Sequence, residues 1–167
     1  EGLDLIDQVA AFGRPYPILV LTGGDCLLRE RLFDLVAHAT SLGIPTALSP
    51  SVTPSLTREA IARIAASGVK AVSISLDGAT AATHEAVRGI PGLFEPTVAA
   101  LRDLVAAGLT VQVNTTVMRS TVEELADVAG ILASVREGLS YGCGDAVIGF
   151  ALGGIAGRQK RRRERGA

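Results

Sequence analysis

Residues 69–78 read VKAVSISLDG and decide the fold class of this chain. Larger apolar side chains alternate with small or polar ones, and this period of two is typical of a β-strand. One face carries Val72, Ile74 and Leu76, whereas the other carries two serines. A strand in a sheet that helices cover on both sides is apolar on both faces. The polar face therefore predicts a strand with helices on one side and a polar, solvated surface on the other.

The same two-sided pattern recurs in residues 109–117, which read LTVQVNTTV. Gln112, Asn114 and Thr116 share one face, and three valines point the other way. Both a (β/α) barrel and a doubly wound sheet fit strands that alternate with helices. Two strands with one polar face each favour a barrel, or part of one, whose interior holds a polar ligand.

Short apolar runs and helical patterns alternate along the chain up to about residue 133. Two more strands are predicted, at residues 18–22 and 44–49. Apolar residues at helical spacing and predicted caps indicate five helices. They lie at residues 3–12, 28–42, 58–67 and 94–107, and after a capping box at 120–124. Residues 77–92 are interpreted as a long loop. A helix followed by four strand–helix units implies parallel strands with right-handed crossovers.

Composition excludes several classes of protein. The chain has 167 residues, of which 48% are hydrophobic and 20% charged, so a mostly disordered chain is excluded. The formal net charge of −1 predicts neither nucleic-acid binding nor attraction to a membrane. No apolar run approaches the roughly 20 residues that span a bilayer. Two cysteines, Cys26 and Cys143, form no disulfide framework, which favours a reduced, cytoplasmic setting.

Residues 134–167 depart from the pattern of residues 1–133. They are rich in glycine, offer no clear fifth strand, and end in a segment with six basic residues and one acidic residue, Arg158–Ala167. We therefore expect a folded unit at residues 1–133 and a divergent tail at 134–167, whose basic end is interpreted as solvated and disordered.

Polar residues and glycines line up at the ends of the four predicted strands. They are Gly23, Gly24 and Asp25, then Ser49 and Ser51, then Ser75, and finally Asn114. In a (β/α) barrel the carboxyl ends of the strands form the active-site face. The alignment therefore predicts a site for a small molecule at this edge.

Four segments together resemble the radical S-adenosylmethionine family. They are LTGGDCLLR (21–29), LGIPTALSPS (42–51), SISLDGATAATHEAVRG (73–89) and GLFEPTVAALRDLVAAGLTVQVNTTV (92–117). The resemblance covers about residues 1–133 and is to members with a SPASM-type C-terminal extension that act on peptides or haem-type precursors. It implies a partial, incomplete (β/α) barrel of the α/β class. It also implies an enzyme that takes an electron from a donor protein and reductively cleaves S-adenosylmethionine at a 4Fe-4S cluster, which starts radical chemistry.

The resemblance assigns roles to individual residues. Gly23, Gly24 and Asp25 match the segment that holds the methionine amino group, although Glu is more usual than Asp at the third position. A Gly-Gly pair lets the backbone approach a ligand closely. Arg88 matches an arginine that pairs with the cofactor's carboxylate, a task that suits a guanidinium fork. Ser75 matches a serine that touches the carboxylate or the ribose.

Two further positions follow from the same resemblance. Asn114 matches a polar residue near the ribose or adenine. Ser49 and Ser51 lie where relatives place contacts to the ribose side. His38 and His84 have no partner at ligand spacing, so both are interpreted as structural or solvent-facing. Asp77 is read equally as a residue that shapes its turn through its own backbone and as a ligand contact.

The chain departs from the family in one respect that matters for function. The three-cysteine motif C-x₃-C-x₂-C, which binds three irons of the cluster, is absent, and Cys26 and Cys143 cannot replace it. The chain is therefore interpreted as a fragment that is inactive by itself. One alternative is a non-catalytic or degenerate (β/α) domain that serves as a binding module. Another is a (β/α) barrel enzyme with a phosphate-bearing substrate, which predicts glycine-rich phosphate loops that the sequence lacks in good order.

Overall fold

The computed structural model describes residues 1–137 and 147–152. The helices are α1 (Gly2–Ala10), α2 (Leu32–Ser41), α3 (Arg58–Ala66), α4 (Ala81–Arg88), α5 (Phe94–Ala106) and α6 (Leu125–Glu137). The strands are β1 (Leu19–Leu21), β2 (Thr46–Leu48), β3 (Ala71–Ser75), β4 (Val111–Val117) and β5 (Val147–Leu152). Single 3-10 turns at Cys26–Leu28 and Val122–Glu124 precede α2 and α6.

The strands form one parallel sheet in the order β1-β2-β3-β4-β5. A doubly wound sheet reverses its strand order at a switch point, whereas each strand here pairs with the strand that follows it. The progressive order is that of a (β/α) barrel, and it confirms the predicted partial barrel.

Helices cover one face of the sheet. Val72 and Ile74 of β3 are buried in the main core, while Ser73 and Ser75 on the opposite face are half-buried. The helices contribute to that core Leu32, Val36, Ile61, Ile64, Leu101, Leu104, Val128 and Leu132. The sheet therefore has one apolar, helix-covered face and one polar face, as the alternation in residues 69–78 predicts.

Helix α4 lies where a loop was predicted, and that prediction is wrong. Thr80 Oγ1 accepts a hydrogen bond from Thr83 N–H, and Thr83 Oγ1 accepts one from Thr80 N–H, so the helix begins with a reciprocal capping box. It ends at Gly89, whose φ of 69° favours glycine. Its sequence, AATHEAVR, lacks an apolar stripe, which is the signal that a search for helical periodicity needs.

The predicted capping box at residues 120–124 does not form. Thr121 makes no side-chain cap bond to the turn that follows it, and its Oγ1 instead accepts from Met118 N–H at 3.0 Å. Glu124 accepts hydrogen bonds from Ala79 N–H at 2.8 Å and from Thr83 Oγ1 at 2.7 Å. The glutamate therefore supports the start of α4 rather than its own helix.

Strand β5 contradicts the expectation that no fifth strand follows residue 134. It pairs with β4 in parallel along its whole length, from Gln112 opposite Val147 to Val117 opposite Leu152. Gly149 interrupts the apolar run, which hides the strand from a search for alternation. Helix α6 also continues past the expected boundary at residue 133. The rest of the predicted tail, residues 138–146 and 153–167, lies outside the described residues. In the part of the chain that is described, no helix is long and apolar enough to cross a membrane.

Candidate functional site

A cavity of about 180 Å³ opens at the carboxyl ends of β1, β2 and β3. Five of the residues singled out from the sequence line it, namely Gly24, Ser49, Ser51, Ser75 and Arg88. Thr22 and Thr97 also line it, although the Thr97 hydroxyl donates to the Leu93 carbonyl at 2.8 Å. Residues from four separate parts of the chain thus converge where strand ends meet, which is the predicted position of a small-molecule site.

The two glycines after β1 adopt backbone conformations that other residues rarely take. Gly23 has a φ of 103° and Gly24 a φ of 51°, so a side chain at either position would strain the backbone. The Gly24 carbonyl accepts a hydrogen bond from Ser51 Oγ at 2.8 Å. This bond ties the loop after β1 to the loop after β2. A carbonyl oxygen has two lone pairs, so Gly24 keeps one for a ligand.

Asp25 lies beside the cavity and not in its wall. Its carboxylate caps the Cys26–Leu28 turn by accepting from Leu27 N–H at 3.1 Å, and it also accepts from the hydroxyls of Thr53 and Ser55. Burial raises the pKa of Asp25, but the hydrogen bonds from Ser55, Thr53 and Leu27 outweigh it and hold that pKa below its ordinary value. Asp25 is therefore a fixed anion that shapes the loop.

Arg88 brings the positive charge to the cavity. It is the last residue of α4, and its side chain is 37% exposed. Its Nη1 donates to Asp77 Oδ2 at 3.3 Å. A guanidinium has five N–H donors in a planar fork, so this single bond leaves donors for a ligand. Arg88 and the serine hydroxyls around it together suit a carboxylate.

Asn114 lies next to Ser75 across the sheet, because the two residues are directly opposed in the β3–β4 pairing. Its Oδ1 accepts from Gln112 Nε2 at 2.7 Å. It belongs to the polar face of the sheet but does not line the cavity.

Asp77 and His84 are buried and hydrogen-bonded to each other, which their local sequence does not indicate. His84 is fully buried, so its interpretation as solvent-facing is wrong, whereas a structural role fits its contacts. Its Nδ1 accepts from Asp77 N–H at 3.0 Å, and burial lowers the pKa of His84. Asp77 is 1% exposed, and its Oδ1 accepts from Thr116 N–H of β4 at 2.7 Å rather than from its own turn. His38, by contrast, is partly exposed, and its Nε2 lies 2.6 Å from Asp7 Oδ1 of α1.

The described residues offer no metal centre. No group of three or more His, Cys, Asp or Glu side chains in this part of the chain is placed to hold a metal ion. Cys26 is buried, and burial together with the nearby Asp25 charge raises the pKa of its thiol. A raised pKa disfavours the thiolate that ligates iron. Cys143 lies outside the described residues.

Several known proteins are similar to this chain in sequence or in fold. The profile of the radical SAM superfamily matches residues 2–132. The chain is 41% identical over 128 residues to the AdoMet-dependent heme synthase of Nitratidesulfovibrio vulgaris, covering 77% of this chain and 34% of the relative. It is 34% identical over 131 residues to the mycofactocin maturase MftC of Mycolicibacterium smegmatis, covering 78% and 32%. The chain thus spans about a third of the length of these curated relatives.

A solved structure supports the same assignment at the level of the fold. SuiB of Streptococcus suis, in its complex with S-adenosylmethionine, superimposes with a TM-score of 0.71 at 11% sequence identity. The match covers 93% of this chain and 34% of SuiB. With the profile match over most of the chain, the chain belongs to the radical SAM superfamily, whose cofactors are S-adenosylmethionine and a 4Fe-4S cluster.

Proposed function

We propose that the cavity binds the methionine end of S-adenosylmethionine, within an enzyme that cleaves this cofactor reductively. The convergence of Arg88, Ser75 and Gly24 on one cavity at the strand ends is the observation that supports this most directly. One cation and several hydroxyls suit a carboxylate, and backbone carbonyls at a tight glycine turn suit an ammonium group. The methionine end of the cofactor carries both groups.

Each residue has a distinct part in this proposal. Arg88 binds the carboxylate through N–H donors that Asp77 does not use, and Ser75 adds a hydroxyl donor. The carbonyls of Gly23 and Gly24 accept from the ammonium group. Asp25 keeps this turn in shape and places a negative charge behind it. In the same proposal Ser49 and Ser51, which line the cavity, contact the ribose side, and Asn114, opposite Ser75 in the sheet, contacts the nucleoside.

The 4Fe-4S cluster supplies the electron that cleaves the bound cofactor in this family. The described residues do not fit that cluster, because Cys26 is buried and no ligand group surrounds it. We propose that residues 1–133 contribute the cofactor-binding half of the site and that this chain alone does not catalyse the reaction. Its electrons would come from a donor protein.

The substrate class in this proposal is a haem-type tetrapyrrole precursor, with a peptide as the second candidate. Relatives named AdoMet-dependent heme synthase share 41% and 40% of aligned residues with this chain. Relatives named mycofactocin maturase share 34% and 36%. SuiB, which shares the fold, has been solved with a precursor peptide. The cytoplasmic location stays a prediction from the cysteine content.

Isothermal titration of S-adenosylmethionine into the chain tests the cofactor site. We expect weak binding that falls about tenfold to a hundredfold in Arg88→Ala, because a hydrogen bond to a charged group contributes about 1.5–3 kcal/mol. The matched control is Arg58→Ala, since Arg58 is 85% exposed and pairs with Asp103 on the outer surface. Absence of binding to the folded chain, or equal binding by Arg88→Ala, would favour a domain without a cofactor role.

A further inference from the structure

We propose that Asp77 is a positioning residue that aims the Arg88 guanidinium into the cavity. The inference rests on the proposed role of Arg88 in binding the cofactor's carboxylate. Asp77 lies two residues after Ser75, the last residue of β3, and does not line the cavity itself. Its effect on a ligand would therefore pass through Arg88.

The Asp77 carboxylate is a fixed point. It is 1% exposed, and its Oδ1 accepts from Thr116 N–H of β4 at 2.7 Å. That donor belongs to the sheet backbone, which side-chain rotation cannot move. The other oxygen, Oδ2, accepts from Arg88 Nη1 at 3.3 Å. A buried carboxylate without a cation beside it is strongly destabilising, so the pair restrains Arg88 to this side of α4.

A second contact fixes the helix that carries Arg88. His84 lies one turn before Arg88 on α4, and residues four apart share a helix face. Its Nδ1 accepts from the backbone N–H of Asp77 at 3.0 Å. The Nε2 proton therefore faces Thr97 Oγ1, 3.5 Å away, and Phe94 packs edge-on against the ring. Asp77 thus holds α4 at two points, through its backbone at His84 and through its side chain at Arg88.

The Asp77–Arg88 pair leaves most N–H donors of the guanidinium free for a ligand and restricts the orientation of the side chain. Among the described residues, Asp77 is the hydrogen-bond partner of the guanidinium. The side chain is 37% exposed, so it has room to swing into solvent once that bond is lost. A preorganised guanidinium loses less conformational freedom when it binds a carboxylate. Asp77 would therefore raise the affinity for ligands that carry the carboxylate and leave other ligands unaffected.

Asp77→Asn is the test, because asparagine keeps the shape and can still accept from Thr116 N–H but lacks the negative charge. The first readout is the heteronuclear NOE of the Arg88 side-chain Nε–H group, which reports its motion without any ligand. The second readout compares NMR-measured affinities for S-adenosylmethionine and for 5′-methylthioadenosine, which has the nucleoside and the sulfur but no carboxylate. We expect a mobile Arg88, a loss of about tenfold for S-adenosylmethionine, and unchanged affinity for 5′-methylthioadenosine.

Two controls make the test specific. Asp103→Asn removes the partner of the exposed Arg58 and should change neither readout. In an Arg88→Ala background, Asp77→Asn should cause no further loss of affinity, because its effect passes through the arginine.

Each contrary result has a defined meaning. An Arg88 side chain equally ordered in Asp77→Asn, or equal losses for the two ligands, would overturn the positioning role. If the wild type binds no S-adenosylmethionine, the proposed function fails, and the NOE comparison still decides whether Asp77 orients Arg88. If Asp77→Asn does not fold, the heteronuclear NOE values of Arg88 and the exposed Arg58 are compared in the wild type. An Arg88 side chain as mobile as that of Arg58 would overturn the inference.

Discussion

Gly78 lies where the loop after β3 touches the start of α4, and its replacement by alanine tests how tightly α4 is held. A Cβ atom on Gly78 would lie 2.6 Å from His84 N and 2.7 Å from Thr83 Cβ, and it would also meet Thr83 Oγ1. Two of these three atoms belong to the Thr83 side chain, which the capping box fixes, and the third is helix backbone. The clash can therefore be relieved only if α4 moves away from β3.

The expected cost follows from this geometry. Gly78 does not have a positive φ, so the penalty in Gly78→Ala is steric rather than conformational. Overpacking of this kind costs about 1–3 kcal/mol. In a chain of this size that lowers the melting temperature by roughly 2–4 °C per kcal/mol. Because Arg88 is the last residue of α4, we also expect weaker binding of S-adenosylmethionine.

Urea denaturation followed by far-UV circular dichroism measures the change in the free energy of unfolding. The matched control is Gly130→Ala in α6, where a Cβ would meet no atom within 4 Å. There alanine should stabilise the protein by up to about 1 kcal/mol, because glycine is the poorer helix former. The two substitutions should thus have opposite signs. A Gly78→Ala protein as stable as the wild type would refute the close packing of α4 against the end of β3.

Three further substitutions test individual contacts. Glu124→Ala removes two hydrogen bonds to the start of α4 and should lower the free energy of unfolding, measured in urea, by about 1.5–3 kcal/mol. The control is Glu123→Ala at an exposed position, whose free energy of unfolding should stay within about 0.5 kcal/mol of the wild type. Thr57→Ala removes the N-cap bond of α3 and should cost about 1 kcal/mol by the same assay. Burial lowers the pKa of His84. The stability that the neutral ring contributes is therefore fully present above the unfolded pKa of 6.5 and is lost as the pH falls through the folded pKa. Urea midpoints measured as the pH falls below 6.5 should decrease less steeply in His84→Gln than in the wild type, and an equal decrease would contradict the buried, neutral ring.

The strands with strong alternation could be predicted from the sequence because a period of two translates directly into two faces of a sheet. Residues 69–78 and 109–117 illustrate this, since Val72, Ile74, Val111 and Val113 are buried, whereas the serines, Gln112 and Asn114 on the other face are half-buried. Helix α4 could not be found in the same way, because its packing depends on His84 and Arg88 rather than on an apolar stripe. Strand β5 was missed because a glycine interrupts its apolar run.

In the candidate site, too, features encoded locally in the sequence could be predicted, whereas long-range contacts could not. The rule that strand ends meet at one edge places Gly24, Ser49, Ser51 and Ser75 at one cavity, and the family resemblance adds Arg88. The same rule also selects Gly23, Asp25 and Asn114, which do not line that cavity. The pairing of Arg88 with Asp77 could not be predicted, because the Asp77 carboxylate is held by a β4 backbone amide 39 positions away in the sequence. Glu124 was misread for the same reason, because a capping box assumes a local partner. No local pattern encodes such contacts.

The most direct test of the cofactor site is an NMR titration of the ¹⁵N-labelled chain with S-adenosylmethionine, because chemical shifts detect even weak binding and locate it. We expect the largest chemical-shift changes at the amides of Gly24, Ser49 and Ser75 and at the Arg88 side chain, with the amides of α1 unchanged. Shifts spread over α1 and α2, or no shifts at saturating ligand in a folded chain, would contradict a cofactor site at the carboxyl ends of β1 to β3.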